Sequence, residues 1–163
     1  MFTASKILVP VDFSDTSRAA LSFAVQWASD QNAELVLLHV EAGLDKEIQN
    51  RIEQAPDESV VEDAINFDEH ALMEAYELER VRCAEAGKVL GDIPVQVRVT
   101  GGSWIEVALQ MVDELQLDLI VTATHGRKGL RGLLWGSVSE QLVNKAPCSV
   151  FIVKPRGFPY LRD

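Results

Sequence analysis

Five short runs of strand-forming residues, separated by longer helix-favouring segments, constrain the fold of this chain more than any other feature. Residues 6–11 (KILVPV) and Glu34–Val40 (ELVLLHV) are nearly continuous in apolar side chains. A strand with one face in water alternates apolar and polar residues, whereas one covered on both faces does not. These two therefore read as central strands of a parallel sheet. Residues 117–122 (LDLIVT) and Ser149–Val153 (SVFIV) supply a fourth and a fifth strand. Between them, Val95–Thr100 (VQVRVT) alternates, which suits a less buried third strand.

The intervening segments carry helix signals. Ser14 is placed to cap a helix on which Ala20, Phe23, Ala24, Trp27 and Ala28 share one face. Residues 60–90 are rich in Glu, Ala and Leu, with Gly91 as the expected C-terminal cap. Ser103-Trp104-Ile105-Glu106 has the spacing of a capping box and opens a helix to about Glu114. A last helix is expected from about Ser137 to Lys145. Residues 41–59, with Gly43 and Pro56 as breakers, read as a surface excursion, and residues 155–163 as a tail.

Strands alternating with helices through short connections imply an α/β fold, a parallel sheet covered by helices on both sides in three layers. With 163 residues the chain is expected to form one domain, its core spanning about 6–154. The net charge of −10 argues against binding nucleic acid or an anionic membrane surface, because both need a basic footprint. No apolar run is long enough to cross a bilayer, and the start, MFTASKILVPVDF, lacks the apolar centre of a secretion signal. A cytoplasmic location is the expectation. The two cysteines, Cys83 and Cys148, have no metal or redox spacing and are expected to be reduced and packed.

On sheets of this kind ligands sit beyond the carboxyl ends of the strands, so the residues there are the candidates for chemistry. Pro10-Val11-Asp12-Phe13-Ser14 follows the first strand. After the fourth comes Ala123-Thr124-His125-Gly126-Arg127-Lys128-Gly129-Leu130-Arg131-Gly132-Leu133-Leu134-Trp135-Gly136-Ser137. Glycines let backbone N–H groups approach phosphate oxygens, and a helix starting near Ser137 adds unpaired N–H donors and a positive dipole end. Arg127, Lys128 and Arg131 concentrate positive charge here in an acidic chain. The same residues could also form a plain glycine-rich turn with a solvated basic patch, since such loops are a weak signal alone. Neither the P-loop pattern GxxxxGK[ST] nor a GxGxxG after the first strand is present.

Taken together, Pro-Val-Asp-Phe-Ser at 10–14, Leu-Leu-His-Val at 37–40, Thr-His-Gly-Arg at 124–127, Gly-Ser-Val-Ser-Glu at 136–140 and Ala-Pro-Cys-Ser-Val at 146–150 resemble the universal stress protein family over about residues 6–154. The ATP-binding branch of that family carries Gly-x-x-Gly, nine residues, then Gly-Ser or Gly-Thr. Here Gly126, the nine residues 127–135 and Gly136-Ser137 match it, while the first glycine is replaced by Ala123. If position 123 required a left-handed backbone, alanine would cost about 1 kcal/mol there.

The resemblance implies a Rossmann-like fold of the adenine nucleotide alpha hydrolase type, with strand order 3-2-1-4-5. It also implies ATP as ligand, with Mg2+ or Mn2+ on the phosphates. Carried over by position, Asp12 contacts the nucleoside and Val40, Pro10 and Val11 line the adenine pocket. Thr122 and Ala123 lie at the fourth strand's end; His125, Gly126, Arg127, Gly136, Ser137 and the Val138 amide surround the phosphates. Each has a plainer reading, Asp12 as a carboxylate at a helix start and Val40 as strand core. His39 reads as a hydrogen-bonded structural residue and His70 as a surface residue.

The function implied is a nucleotide-dependent regulator of a stress response, acting through an unidentified protein partner, with phosphates ordering the 126–136 loop and shifting Leu133, Leu134 and Trp135. The alternatives are a slow ATPase or adenylyl-transfer enzyme, and an adaptor that binds no nucleotide. The resemblance also implies a homodimer paired through Ser149–Val153, an apolar edge strand.

Overall fold

A computed structural model describes residues 2–41, 59–123 and 138–154, with the side chains of 59–68 and 138 left aside. In chain order the elements are β1 (Lys6–Pro10), α1 (Asp15–Gln31), β2 (Glu34–Val40), α2 (Ser59–Glu85), β3 (Val95–Thr100), α3 (Trp104–Leu115), β4 (Leu119–Ala123), α4 (Val138–Lys145) and β5 (Ser149–Val153). The five strands form one parallel sheet in the order β3-β2-β1-β4-β5, as the resemblance implies.

The unbroken apolar runs do occupy the centre. Ile7, Leu8 and Val9 of β1 and Leu35 to Leu38 of β2 have no solvent exposure. Alternate residues feed two cores, one on each face of the sheet. Ile7, Val9, Leu35, Leu37 and Val121 pack with Leu21, Ala24 and Val25 of α1 and Leu72 and Tyr76 of α2. Leu8, Val36, Leu38 and Ile120 pack with Ile105, Ala108 and Met111 of α3 and Leu142 of α4. Burial of each large side chain contributes about 1.5–3 kcal/mol of transfer free energy. β3, partly exposed along its length, is the edge its alternation predicts.

The helix ends show where local signals held and where they did not. Ser14 caps α1 as expected, its hydroxyl accepting from the Ser17 N–H at 3.2 Å. Helix α2 ends at Glu85, and Gly87 rather than Gly91 supplies the left-handed turn with φ of +78°. The Lys88 N–H donates to the Cys83 carbonyl and the Gly87 N–H to Ala84, the paired bonds of a Schellman cap. Gly91 instead donates its N–H to the Ser29 hydroxyl at 2.9 Å, which ties the following segment to α1.

Ser103 stands at the N-cap of α3, but its side chain makes no capping bond, so the expected capping box does not form. The fourth strand opens at Leu119, two residues later than its pattern suggests. Gln116 at φ of +54° closes α3, and the Leu117 N–H still bonds back to Val112. Cys83 is buried and Cys148 half-buried, both as free thiols. Burial pushes the Cys148 thiol's proton affinity up, which leaves it a packing residue rather than a nucleophile.

Candidate functional site

The strand order locates the switch point. From β1 the chain winds through β2 and β3 to one side, then returns to build β4 and β5 on the other. The crevice between the carboxyl ends of β1 and β4 is where such sheets admit ligands. Its origin lies in one residue. The β1–β2 ladder runs from Lys6–Glu34 to Pro10–Leu38, but the β1–β4 ladder holds only Ile7–Leu119 and Leu8–Ile120. The Val11 N–H donates to the Leu38 carbonyl of β2 at 2.9 Å, so by alternation the amide side of residue 10 faces β4. Proline has no N–H to give there, and the two strands part beyond it.

On the β1 side the wall is a tightly bonded turn. Val11 is fully buried. Asp12 follows, its Oδ1 accepting from the Ser14 N–H at 3.0 Å and from the Ser14 hydroxyl. Its own N–H donates to the Ser17 hydroxyl at 3.4 Å, which in turn donates to the Ser14 carbonyl at 3.0 Å. The helix-start role of Asp12 is thus present in the structure. Phe13 adopts φ of +60°, a left-handed backbone that is costly for an aromatic residue and is held by its surroundings.

The exit of β2 lies alongside. His39 is buried; its Nδ1 donates to the Val11 carbonyl at 2.7 Å, and its Nε2 lies 3.2 Å from the Glu41 carboxylate. The Phe13 ring rests against the imidazole with centroids 4.8 Å apart. Val40 is buried in the opposite core, with Leu38 and Ile105 among that core's members, and the Glu41 N–H donates to the Thr100 carbonyl at 3.0 Å. His39 is the hydrogen-bonded residue that its place in the strand predicts, and His70 lies exposed on α2.

Across the crevice, Thr122 is buried at 7 % exposure and Ala123 ends β4 opposite Val153 of β5. Ala123 is ordinary extended strand and not one of the left-handed residues, so alanine carries no backbone penalty at this position. The Ser139 hydroxyl, itself buried, donates to the Ala123 carbonyl at 3.1 Å. That bond pins the first turn of α4 to the end of β4 and fixes both anchors of the glycine-rich connection. Val138 is the first residue of α4, within the turn whose N–H groups have no intrahelical acceptor. His125, Gly126, Arg127, Gly136 and Ser137 lie outside the described residues.

The structure therefore brings Pro10, Val11, Asp12, Val40, Thr122, Ala123 and the start of α4 to one end of the sheet. Sequence reasoning missed Phe13, Ser17, Glu41 and Ser139. Ser139 had a visible signal, a second serine just inside the predicted helix start. Phe13 had none, because nothing in a Phe codes for a left-handed turn. Tyr76, Asp118 and Cys148 have shifted proton affinities, and these three lie away from the strand exits. Nor does any group of three or more His, Cys, Asp or Glu among the described residues suit a metal ion.

Similarity to known proteins agrees with this geometry. The model of the Universal stress protein family matches residues 3–154. Universal stress protein YxiE of Bacillus subtilis is 30% identical over 152 residues, covering 92% of this chain and 99% of its own. Universal stress protein MJ0577 of Methanocaldococcus jannaschii is 26% identical, covering 93% and 96%. Its solved structure superposes with a TM-score of 0.67 over 96% of this chain and 99% of that one, at 24% identity. A universal stress protein solved in complex with cAMP superposes with a TM-score of 0.60 at 20% identity, covering 93% and 98%. With the family model spanning nearly every residue and the sheet order it implies observed, this chain belongs to the universal stress protein family.

Proposed function

We propose that this protein binds ATP or a close adenine nucleotide in the β1–β4 crevice and uses the loaded state to regulate a partner in a stress response. The observation that carries the reading is the crevice itself, opened by Pro10 and anchored on its far side by the Ser139–Ala123 bond. The connection leaving Ala123 has the glycine spacing and positive charge that suit phosphates. A relative of the same fold was solved with cAMP, which shares the adenine nucleoside.

In this reading Val40, Pro10 and Val11 flank the base, Asp12 meets the nucleoside, and Thr122 and Ala123 form the opposite wall. His125, Gly126, Arg127, Gly136, Ser137 and the Val138 amide receive the phosphates. A divalent cation, Mg2+ or Mn2+, would be held by the phosphates and water rather than by a dedicated carboxylate cage. The described carboxylates form no such cage. The role is regulatory rather than catalytic: a ligand that prefers one arrangement of the 124–137 connection shifts its population and so the surface a partner meets. A second copy of the chain, paired through β5, completes the proposed assembly.

Mass spectrometry of small molecules released from gently purified protein should show an adenine nucleotide, and calorimetry should give one ATP per chain. Asp12→Ala should weaken ATP at least tenfold while the fold is kept. No nucleotide released and no heat with ATP would leave the adaptor reading in its place.

A further inference from the structure

Both ring nitrogens of His39 face atoms that can only accept a hydrogen bond. Nδ1 lies 2.7 Å from the Val11 carbonyl oxygen, and Nε2 lies 3.2 Å from the Glu41 carboxylate. A neutral imidazole has a single N–H, so it can satisfy one of these partners and must turn a lone pair on the other. The side chain is only 8% exposed, so water is poorly placed to relieve that opposition, whereas the Glu41 side chain is 49% exposed and keeps its charge solvated. The Phe13 ring rests against the imidazole, and Val99 stands opposite His39 in the β2–β3 ladder.

We propose that His39 is held as an imidazolium and acts as a positioning residue for the crevice, joining the exits of β1 and β2. One N–H holds the Val11 carbonyl and with it the bend at Phe13; the other holds Glu41 beyond Val40. The two walls assigned to the nucleoside are thereby locked to each other by one buried cation. The purpose of the lock rests on the nucleotide reading above, but the lock itself does not. A charge-assisted pair of this kind is shorter and stronger than a neutral one and sets direction as well as distance. This is also why Phe13 can stay left-handed: the carbonyl two residues before it is fixed and its ring has a flat partner.

Long-range 1H–15N correlation spectra of the histidine rings at neutral pH test the proposal, with His39 identified as the ring that remains in both His70→Gln and His125→Gln. Both His39 nitrogens should resonate as protonated. In Glu41→Gln the side-chain amide can donate to Nε2, so the ring should revert to a neutral form with the proton on Nδ1. Amide exchange at residues 12–14 should be within about twofold of wild type in Glu41→Gln. In His39→Leu it should be at least tenfold faster, and ATP affinity at least tenfold weaker. A bare ring nitrogen in the wild-type spectrum overturns the proposal, and so does unchanged exchange in His39→Leu. The spectra of wild type and Glu41→Gln decide the protonation even if His39→Leu does not fold. A doubly protonated ring and faster exchange, in a protein that binds no ATP, would uphold the lock and sink the nucleotide reading instead.

Discussion

Asp118 precedes β4 at the end of the sheet away from the crevice, and one of its oxygens gathers three donors. Oδ2 accepts from the Ser5 N–H at 2.7 Å, the Ser5 hydroxyl at 2.5 Å and the Lys6 N–H at 2.9 Å. The Ser5 hydroxyl bond is the largest cause of a carboxyl held below its ordinary 3.8, with the backbone bonds adding to it and partial burial opposing. A carboxyl with a lowered value when folded takes up its proton more readily in the unfolded chain. Its contribution is therefore complete above the ordinary value and is lost as pH falls through the lowered one. Asp118→Asn should cost about 1 kcal/mol at neutral pH, allowing for the site's partial exposure. The difference from wild type should begin to shrink near pH 3.8, where the unfolded chain takes up its proton, and should approach zero once pH falls below the lowered folded value. Urea midpoints measured from neutral pH downward check this, and a gap that stays constant with pH would contradict it. Ala123 carries a second lesson at this scale: a departure from the family's glycine is harmless to the backbone where the residue is extended strand.

At the scale of elements, the consequential feature is a ladder that stops. Pro10→Val restores an N–H on the side of β1 that faces β4, so a β1–β4 bond can form where the strands now part. The added hydrogen bond is worth about 1 kcal/mol. Losing proline's restriction of the unfolded chain costs about 0.4–1 kcal/mol. The two nearly cancel, so the melting temperature should move by only a few degrees while ATP affinity falls about tenfold as the crevice narrows. Hydrogen exchange should show a new protected amide at position 10; undiminished ATP binding alongside that amide would mean the crevice is not where nucleotide sits. Elements of this kind were legible in the sequence because an apolar run such as ELVLLHV has one stable place, the middle of a covered sheet. The ends of elements were less so. Gly87 and Gly91 carry equal intrinsic signals, and only the packing of α2 decides which one turns left-handed. The same holds for the site: its strand-end residues follow from the order of elements, while the Val11–His39–Glu41 chain joins residues 28 positions apart across the sheet and has no local signature.

For the whole molecule, the two edges of the sheet differ in a way that bears on assembly. β3 carries Gln96 and Arg98 on alternating positions, and the Arg98 guanidinium bonds the Val97 carbonyl and Gln96 at the strand itself. Charge on an edge strand discourages another strand from adding there. β5, SVFIV, has no charge at all, and Phe151 is 38% exposed on it. Its ring stacks on Phe23 with centroids 4.5 Å apart and meets Trp27 edge-on at 5.4 Å, continuing an aromatic surface toward Phe2. Burying that edge, which pairs with no further strand among the described residues, and the rings beside it against a second copy would satisfy both at once, and a two-fold axis makes the patch complementary to itself. A stable pair of this kind buries roughly 1,200–2,000 Å2, so the aromatic surface beside the strand has to join the backbone pairing. Phe151→Lys places a charge on the edge without disturbing the central strands. Sedimentation at micromolar concentration should give a dimer for the wild type and a monomer for Phe151→Lys, with both proteins keeping the same far-ultraviolet dichroism. A wild-type monomer, or a variant that stays dimeric, would mean that β5 is protected by something other than a second copy.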